Sequence, residues 1–228
     1  MKRFTTLLLV LGILTTASAI AVAELTEEMK SDGWVSIFDG RTLEGWKSNE
    51  PGGSGNFKVE NGTIVGTGGR DHLYYMGEEF QNFELKIDVN INNDGNAGVY
   101  VKSQWQDNAW PTTGFELQVN SSHGDPQKSG SLYNIVKILK APHGDDEWFT
   151  YHIICRGNEM EVRVNGETLY VYVDQARGPR GQGGQNQQGT PPITEQTKRI
   201  SQSGYVALQQ HHDGSVVQFK NIYVKKLP

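Results

Sequence analysis

Residues 151–173 read YHIICRGNEMEVRVNGETLYVYV. Gly157-Asn158 and Asn165-Gly166 divide this run into three short stretches rich in β-branched and aromatic residues. An Asn-Gly pair between such stretches is a hairpin signal, because a two-residue type I′ turn needs positive φ at both central positions. The run therefore predicts three antiparallel strands in sequence order.

The same signals recur on either side. Asn61-Gly62 separates Phe57-Lys58-Val59 from Thr63-Ile64-Val65. Residues 83–90 alternate, with Phe83, Leu85, Ile87 and Val89 on one face and Glu84, Lys86, Asp88 and Asn90 on the other. Asn93-Asp94-Gly95 turns the chain into Gly98-Val99-Tyr100-Val101-Lys102, and residues 115–119 alternate again. Helical signals are confined to one short segment, where Thr26 can cap, Glu27 and Glu28 suit the positive end, and Gly33 stops the helix. No internal repeat is visible. Many short strands joined by turns predict an all-β protein built as a sandwich of antiparallel sheets, with one short N-terminal helix.

Composition narrows the setting. Lys2 and Arg3 precede an apolar run at residues 7–14, too short to span a bilayer, and small residues follow. This order predicts a signal peptide over residues 1–23, cut after Ala23, and a periplasmic or secreted protein. Removing it leaves 205 of the 228 residues as one domain, 24–228, with 19 basic against 26 acidic side chains. A net charge of −7 disfavours nucleic acid and anionic membrane as partners. No later stretch is apolar for long enough to form a transmembrane segment. Cys155, the only cysteine, sits in an apolar stretch and is expected to be a buried, inert thiol. Residues 176–199 are rich in Gly, Gln and Pro and almost free of apolar side chains, so they read as a surface loop.

From Gly33 onward the chain resembles the 3-keto-disaccharide hydrolase family, formerly domain of unknown function 1080. The resemblance runs through Gly33-Trp34-Val35-Ser36-Ile37-Phe38-Asp39-Gly40, Gly98 to Lys102, Gly114-Phe115-Glu116-Leu117-Gln118, Gly130-Ser131-Leu132-Tyr133 and Glu147-Trp148. It ends on Gly204 to Gln209, His211 and Phe219-Lys220-Asn221-Ile222. It implies a concanavalin A-like jelly-roll sandwich acting on 3-keto-glucosides, by elimination across C1–C2 and then hydration. The chain departs from the family pattern at Lys102, where Arg is usual, and at Asn120, where an acid is common. It also reads Gln209-Gln210-His211-His212 in place of Gln-Asp-His-Gly.

That reaction sets the search for its residues. A ketone at C3 acidifies the C2 proton, and the C1 substituent, β to the carbonyl, can then leave. The protein must supply a base near C2, a donor or cation at the ketone oxygen, and a proton for the leaving oxygen. Glu116, Gln118 and Asn120 share one parity on their strand, opposite Phe115, Leu117 and Val119. With the family match, Glu116 and His211 are the expected catalytic pair. Lys102, Gln118, Asn120, Tyr133 and Gln209 are expected at the substrate, with Trp105 and Trp110 as sugar-stacking rings from the polar loop 103–113. Lys102 shares the parity of Tyr100 and is expected to hold the ketone oxygen. His212 is expected at the surface, His123 no nearer than the rim, and His72, His143 and His152 in structural or surface roles. Trp34, Trp46 and Trp148 are expected in the core. Glu116 and His211 could also hold a divalent cation, although two ligands do not define a metal site.

Two other classes compete. A non-catalytic, lectin-like carbohydrate-binding module would have the groove without the base. A glucanase of this fold would need Glu-x-Asp-x-Glu on one strand, and the closest runs, 84–88 and 159–163, each contain a cation instead.

Overall fold

Thr26 opens the described chain as expected. Its hydroxyl accepts a hydrogen bond from the Met29 N–H, capping α1 (Glu27–Ser31), and Gly33 leaves the helix at φ +88°. The computed structural model describes residues 25–50, 56–174 and 202–228. The predicted signal peptide, residues 1–23, and the Gly/Gln-rich segment, 176–199, lie outside the described residues.

Among the described residues everything after α1 is strand, turn or loop. The strands are β1 (Trp34–Ser36), β2 (Trp46–Ser48), β3 (Phe57–Glu60), β4 (Thr63–Gly66), β5 (Asp71–Tyr75), β6 (Phe83–Ile91) and β7 (Ala97–Ser103). They continue as β8 (Phe115–Val119), β9 (Phe149–Arg156), β10 (Glu159–Val164), β11 (Glu167–Val173), β12 (Tyr205–Gln210) and β13 (Val217–Lys226). One sheet runs β11-β10-β9-β6-β13-β4-β3, with β1 also paired to β13; the other runs β2-β5-β12-β7-β8. Every pairing is antiparallel. The chain passes repeatedly from one sheet to the other, giving the expected two-sheet jelly roll.

The turns follow from the residues that make them. Asn61-Gly62 and Asn165-Gly166 both take positive φ at each position, 49° and 77° in the first and 52° and 85° in the second. The core fills the space between the sheets. Phe83, Leu85, Ile87 and Val89 of β6 meet Phe115, Leu117 and Val119 of β8 and Val206 and Leu208 of β12 within one cluster. Each such side chain contributes about 1.5–3 kcal/mol by leaving water. Cys155 is a buried free thiol, so burial carries the stability without a disulfide. Trp34 and Trp46 are in the core as expected. Trp148 is not: it is 36% exposed, and the Lys220 ammonium sits 4.0 Å above its ring. At the end of a loop before β9, its indole gains more from that cation than from a core already filled by Phe149.

Candidate active site

The same alternation that fills the core leaves a second set of side chains on the outer face of the five-stranded sheet. Two cross-strand rows result. Tyr74, Ala207, Tyr100 and Glu116 stand opposite one another across β5, β12, β7 and β8. His72, Gln209, Gly98 and Gln118 form the next row. Above them lies a cleft of about 320 Å³ lined by Asn96, Tyr100, Trp110, Glu116, Gln118, Tyr133, Gln209 and His211.

Glu116 is the anchor of this cleft. Tyr100 Oη donates to Oε2 at 2.8 Å, and Gln209 Nε2 donates to Oε1 at 3.1 Å. Gln209 belongs to β12, two strands away, and reaches Glu116 across β7 because the residue between them is Gly98. A Cβ at that position would come within 2.7 Å of Glu116 Oε1. Burial, and then the Glu116 charge, hold the Tyr100 phenol well above its ordinary range, so it stays a donor. Gln118 is fixed from the other direction, its Nε2 donating to Asn96 Oδ1 at 3.2 Å. The oxygens Gln118 Oε1 and Gln209 Oε1 are buried without a hydrogen-bond partner among the described residues, as are both ring nitrogens of His72. Unpaired buried polar atoms are costly, and four of the five found among the described residues lie under the cleft, the fifth being Gln210 Oε1 on the opposite face.

His211 follows the last residue of β12, on the turn that leads to β13. Gln210, facing the opposite way from Gln209, closes that turn by donating to the carbonyls of His212 and Ser215. His211 meets the Trp110 ring at a tilt of 54°, centroids 5.1 Å apart, and places Nδ1 3.2 Å from His212 Nδ1. Burial, followed by the neighbouring His212 and His123, lowers its pKa below the usual 6.5. His123 reaches the rim: its ring centroid is 5.2 Å from that of His212, and Asn96 Nδ2 and the Asp125 N–H both point at its Nδ1. Tyr133 is presented by the segment 131–133, which pairs along β8, and its hydroxyl donates to Asp125 Oδ2 at 3.2 Å.

The structure brings Glu116, His211, Gln118, Gln209, Tyr133 and Trp110 to one cleft and places three other candidate residues outside it. Lys102 has φ +61°, which breaks the strand parity that it was expected to share with Tyr100. Its side chain is buried, donates to the Gln81 carbonyl, and lies 5.5 Å from the Phe83 ring, away from the cleft. Asn120 lies just past β8, and its amide donates to the carbonyls of Asp125 and Gln127, holding the following loop. Trp105 packs edge-on against Tyr74 under the Lys47 ammonium and does not line the cleft. Sequence reasoning missed His72, Tyr100 and Asn96. The alternation His72-Leu73-Tyr74 was the available signal for the first. Among the described residues no three His, Cys, Asp or Glu side chains are arranged to hold a metal ion. No helix there is long and apolar enough to cross a membrane.

Residues 33–225 match the 3-keto-alpha-glucoside-1,2-lyase-like domain. A 3-keto-disaccharide hydrolase of Bacteroides thetaiotaomicron is 25% identical over 238 residues, covering 86% of this chain and 79% of that protein. The crystal structure of a candidate glycosyl hydrolase from Parabacteroides distasonis is 26% identical, with a TM-score of 0.74 over 91% of this chain and 100% of that one. The carbohydrate-binding module CBM66 of Bacillus subtilis superposes with a TM-score of 0.55 at 10% identity, over 80% of this chain and 96% of that one, a likeness of fold alone.

Proposed function

This chain belongs to the 3-keto-alpha-glucoside-1,2-lyase-like family, and from that premise we propose that it cleaves 3-keto-disaccharides and related 3-keto-glucosides outside the cytoplasm. The observation that carries the reading is a carboxylate held by two donors and a half-buried histidine of lowered pKa, lining one cleft. Export rests on the charge, apolar and small-residue order of the first 23 residues.

The bond changes assign the roles. Ser215 Oγ accepts from the Asn96 N–H and lies 3.1 Å from His212 Nδ1. In the tautomer that carries its proton on Nδ1, toward His212, His211 keeps a lone pair on Nε2. That nitrogen takes the C2 proton of the sugar. The C–H electron pair moves into the C3 carbonyl, then returns to form C1=C2 as the C1–O bond breaks, and the departing oxygen takes up the proton that His211 Nε2 now carries. Water next adds across the double bond, hydroxyl to C1 and hydrogen to C2. Glu116, Gln118 and Gln209 accept sugar hydroxyls and fix the ring above the base. With Lys102 outside the cleft and the Tyr133 proton given to Asp125, the second N–H of the Gln118 amide is the neutral donor left for the ketone oxygen.

The test is purified protein with a 3-keto-disaccharide in D₂O, followed by NMR for deuterium at C2 and for the released sugar. His211→Ala should slow exchange and release together by about a hundredfold or more, the scale of a lost general base. Glu116→Gln should lower turnover to a similar degree. Binding without exchange or release by the wild type would return the protein to the lectin-like class.

A further inference from the structure

His72 is 0% exposed, yet neither ring nitrogen has a hydrogen-bond partner among the described residues. Burial pushes its pKa down to about 3, so the ring is neutral, with one N–H to give and one lone pair to fill. A histidine with no polar partner is a poor choice for packing alone, since an apolar side chain of similar volume would leave nothing unpaired. Its position gives a reason. His72 stands beside Gln209 in the cross-strand row beneath the cleft, and Gln209 Oε1 is also unpaired. The Tyr100 ring meets it edge-on at 5.5 Å on one side. The Trp110 indole meets it edge-on at 5.3 Å on the other.

Trp110 is what covers it. The backbone of its loop is tied to the strand that carries His72. Asn49 exchanges two hydrogen bonds with the His72 backbone, and its side chain donates to the carbonyls of Gln106 and Ala109. The indole itself is 43% exposed and touches His72 and His211 by ring contact. The loop is thus fixed by hydrogen bonds, while the indole on it is held only by ring contacts with His72 and His211 and by the Arg70 guanidinium, 5.6 Å from its centroid.

We infer that His72 is a sugar-contacting residue, screened by Trp110 in the sugar-free protein and uncovered when the indole turns to stack on the ring. Its N–H and lone pair then meet sugar hydroxyls, which both donate and accept, and Gln209 Oε1 accepts from the same ring. This rests on the reading of the cleft as a 3-keto-glucoside site and adds to it the residue that reads the hydroxyl pattern.

Calorimetric titration with a 3-keto-glucoside and with its parent glucoside tests this, alongside thermal melting. His72→Leu should weaken binding of both sugars about tenfold or more, the scale of two lost neutral hydrogen bonds, while the sugar-free melting temperature stays level or rises. His72→Gln, which keeps a donor and an acceptor, should bind within about threefold of wild type. Wild-type affinity in His72→Leu would overturn the inference, whatever its stability. The two readings fail separately. Sugar binding that depends on His72 without any turnover sinks the reaction and leaves this contact standing. Normal turnover and affinity in His72→Leu does the reverse.

Discussion

Gly98→Ala tests whether the placement of the Glu116 carboxylate governs the chemistry. The added Cβ would lie 2.7 Å from Glu116 Oε1, 3.1 Å from its Cγ and 3.3 Å from its Cδ, where ordinary contact begins near 3.4 Å. The carboxylate must retreat by about 0.7 Å. Its Oε1 is the atom that Gln209 reaches across Gly98, so this hydrogen bond is lost first. A bond to a charged acceptor contributes about 1.5–3 kcal/mol, which predicts a fall in kcat/KM of roughly ten- to a hundredfold. A displacement of this size in a positioned group has comparable consequences on its own. The fold should tolerate the change. Gly98 is not among the glycines with positive φ, so alanine brings no backbone strain, and the loss of stability should be that of the broken bond, about 1.5–3 kcal/mol. The assay is steady-state kinetics on a 3-keto-disaccharide, paired with a thermal melt. Turnover within twofold of wild type, with the melt lowered by the lost bond, would show that the Gln209–Glu116 bond has no part in the reaction.

Three further outcomes are expected. Lys102→Met should leave kcat/KM unchanged and cost about 1 kcal/mol in urea unfolding, the size of one hydrogen bond; lost turnover at full stability would return Lys102 to the site. The pKa of His72 is about 3 when folded and 6.5 as a free side chain, so the unfolded chain takes the proton first as pH falls. Its stabilising contribution is intact above pH 6.5 and shrinks toward pH 3 by about 1.4 kcal/mol per unit. Wild type should therefore lose about 2–3 kcal/mol more than His72→Leu between pH 6.5 and 4.5, and parallel urea curves would refute the depressed value. Mass spectrometry of protein recovered from outside the cytoplasm should find the chain beginning at Glu24, whereas an intact N-terminus would refute the signal peptide.

Much of the fold was legible because a strand of period two and an Asn-Gly turn each have one local meaning. The face carrying Glu116 and Gln118 followed from the same alternation. The misreadings lie where alternation stops. Lys102 takes a left-handed backbone inside β7, and one such residue turns its side chain out of step with Tyr100. Asn120 is one position beyond the end of β8, where a short amide does more for the loop carbonyls than for a ligand. His211 follows from its place in the family pattern; it stands on the turn after β12, where Gln210 directs it. His72 was missed for a different reason: the alternation gives its face and nothing more. A lone histidine in sequence shows neither its unpaired nitrogens nor the indole that covers it.

The even positions of β8 carry Glu116 and Gln118, and the odd positions carry Phe115, Leu117 and Val119. Chemistry and folding are thus written on alternate letters of one strand. A point substitution edits one message and leaves the other intact, so this sheet can exchange catalytic groups for binding groups while the core stays as it is. Inserting or deleting a single residue within the strand would instead transpose the two texts, placing a carboxylate in the core and a phenylalanine in the cleft. Sequences descended from such a strand should therefore vary freely by substitution on its outward letters and almost never by length.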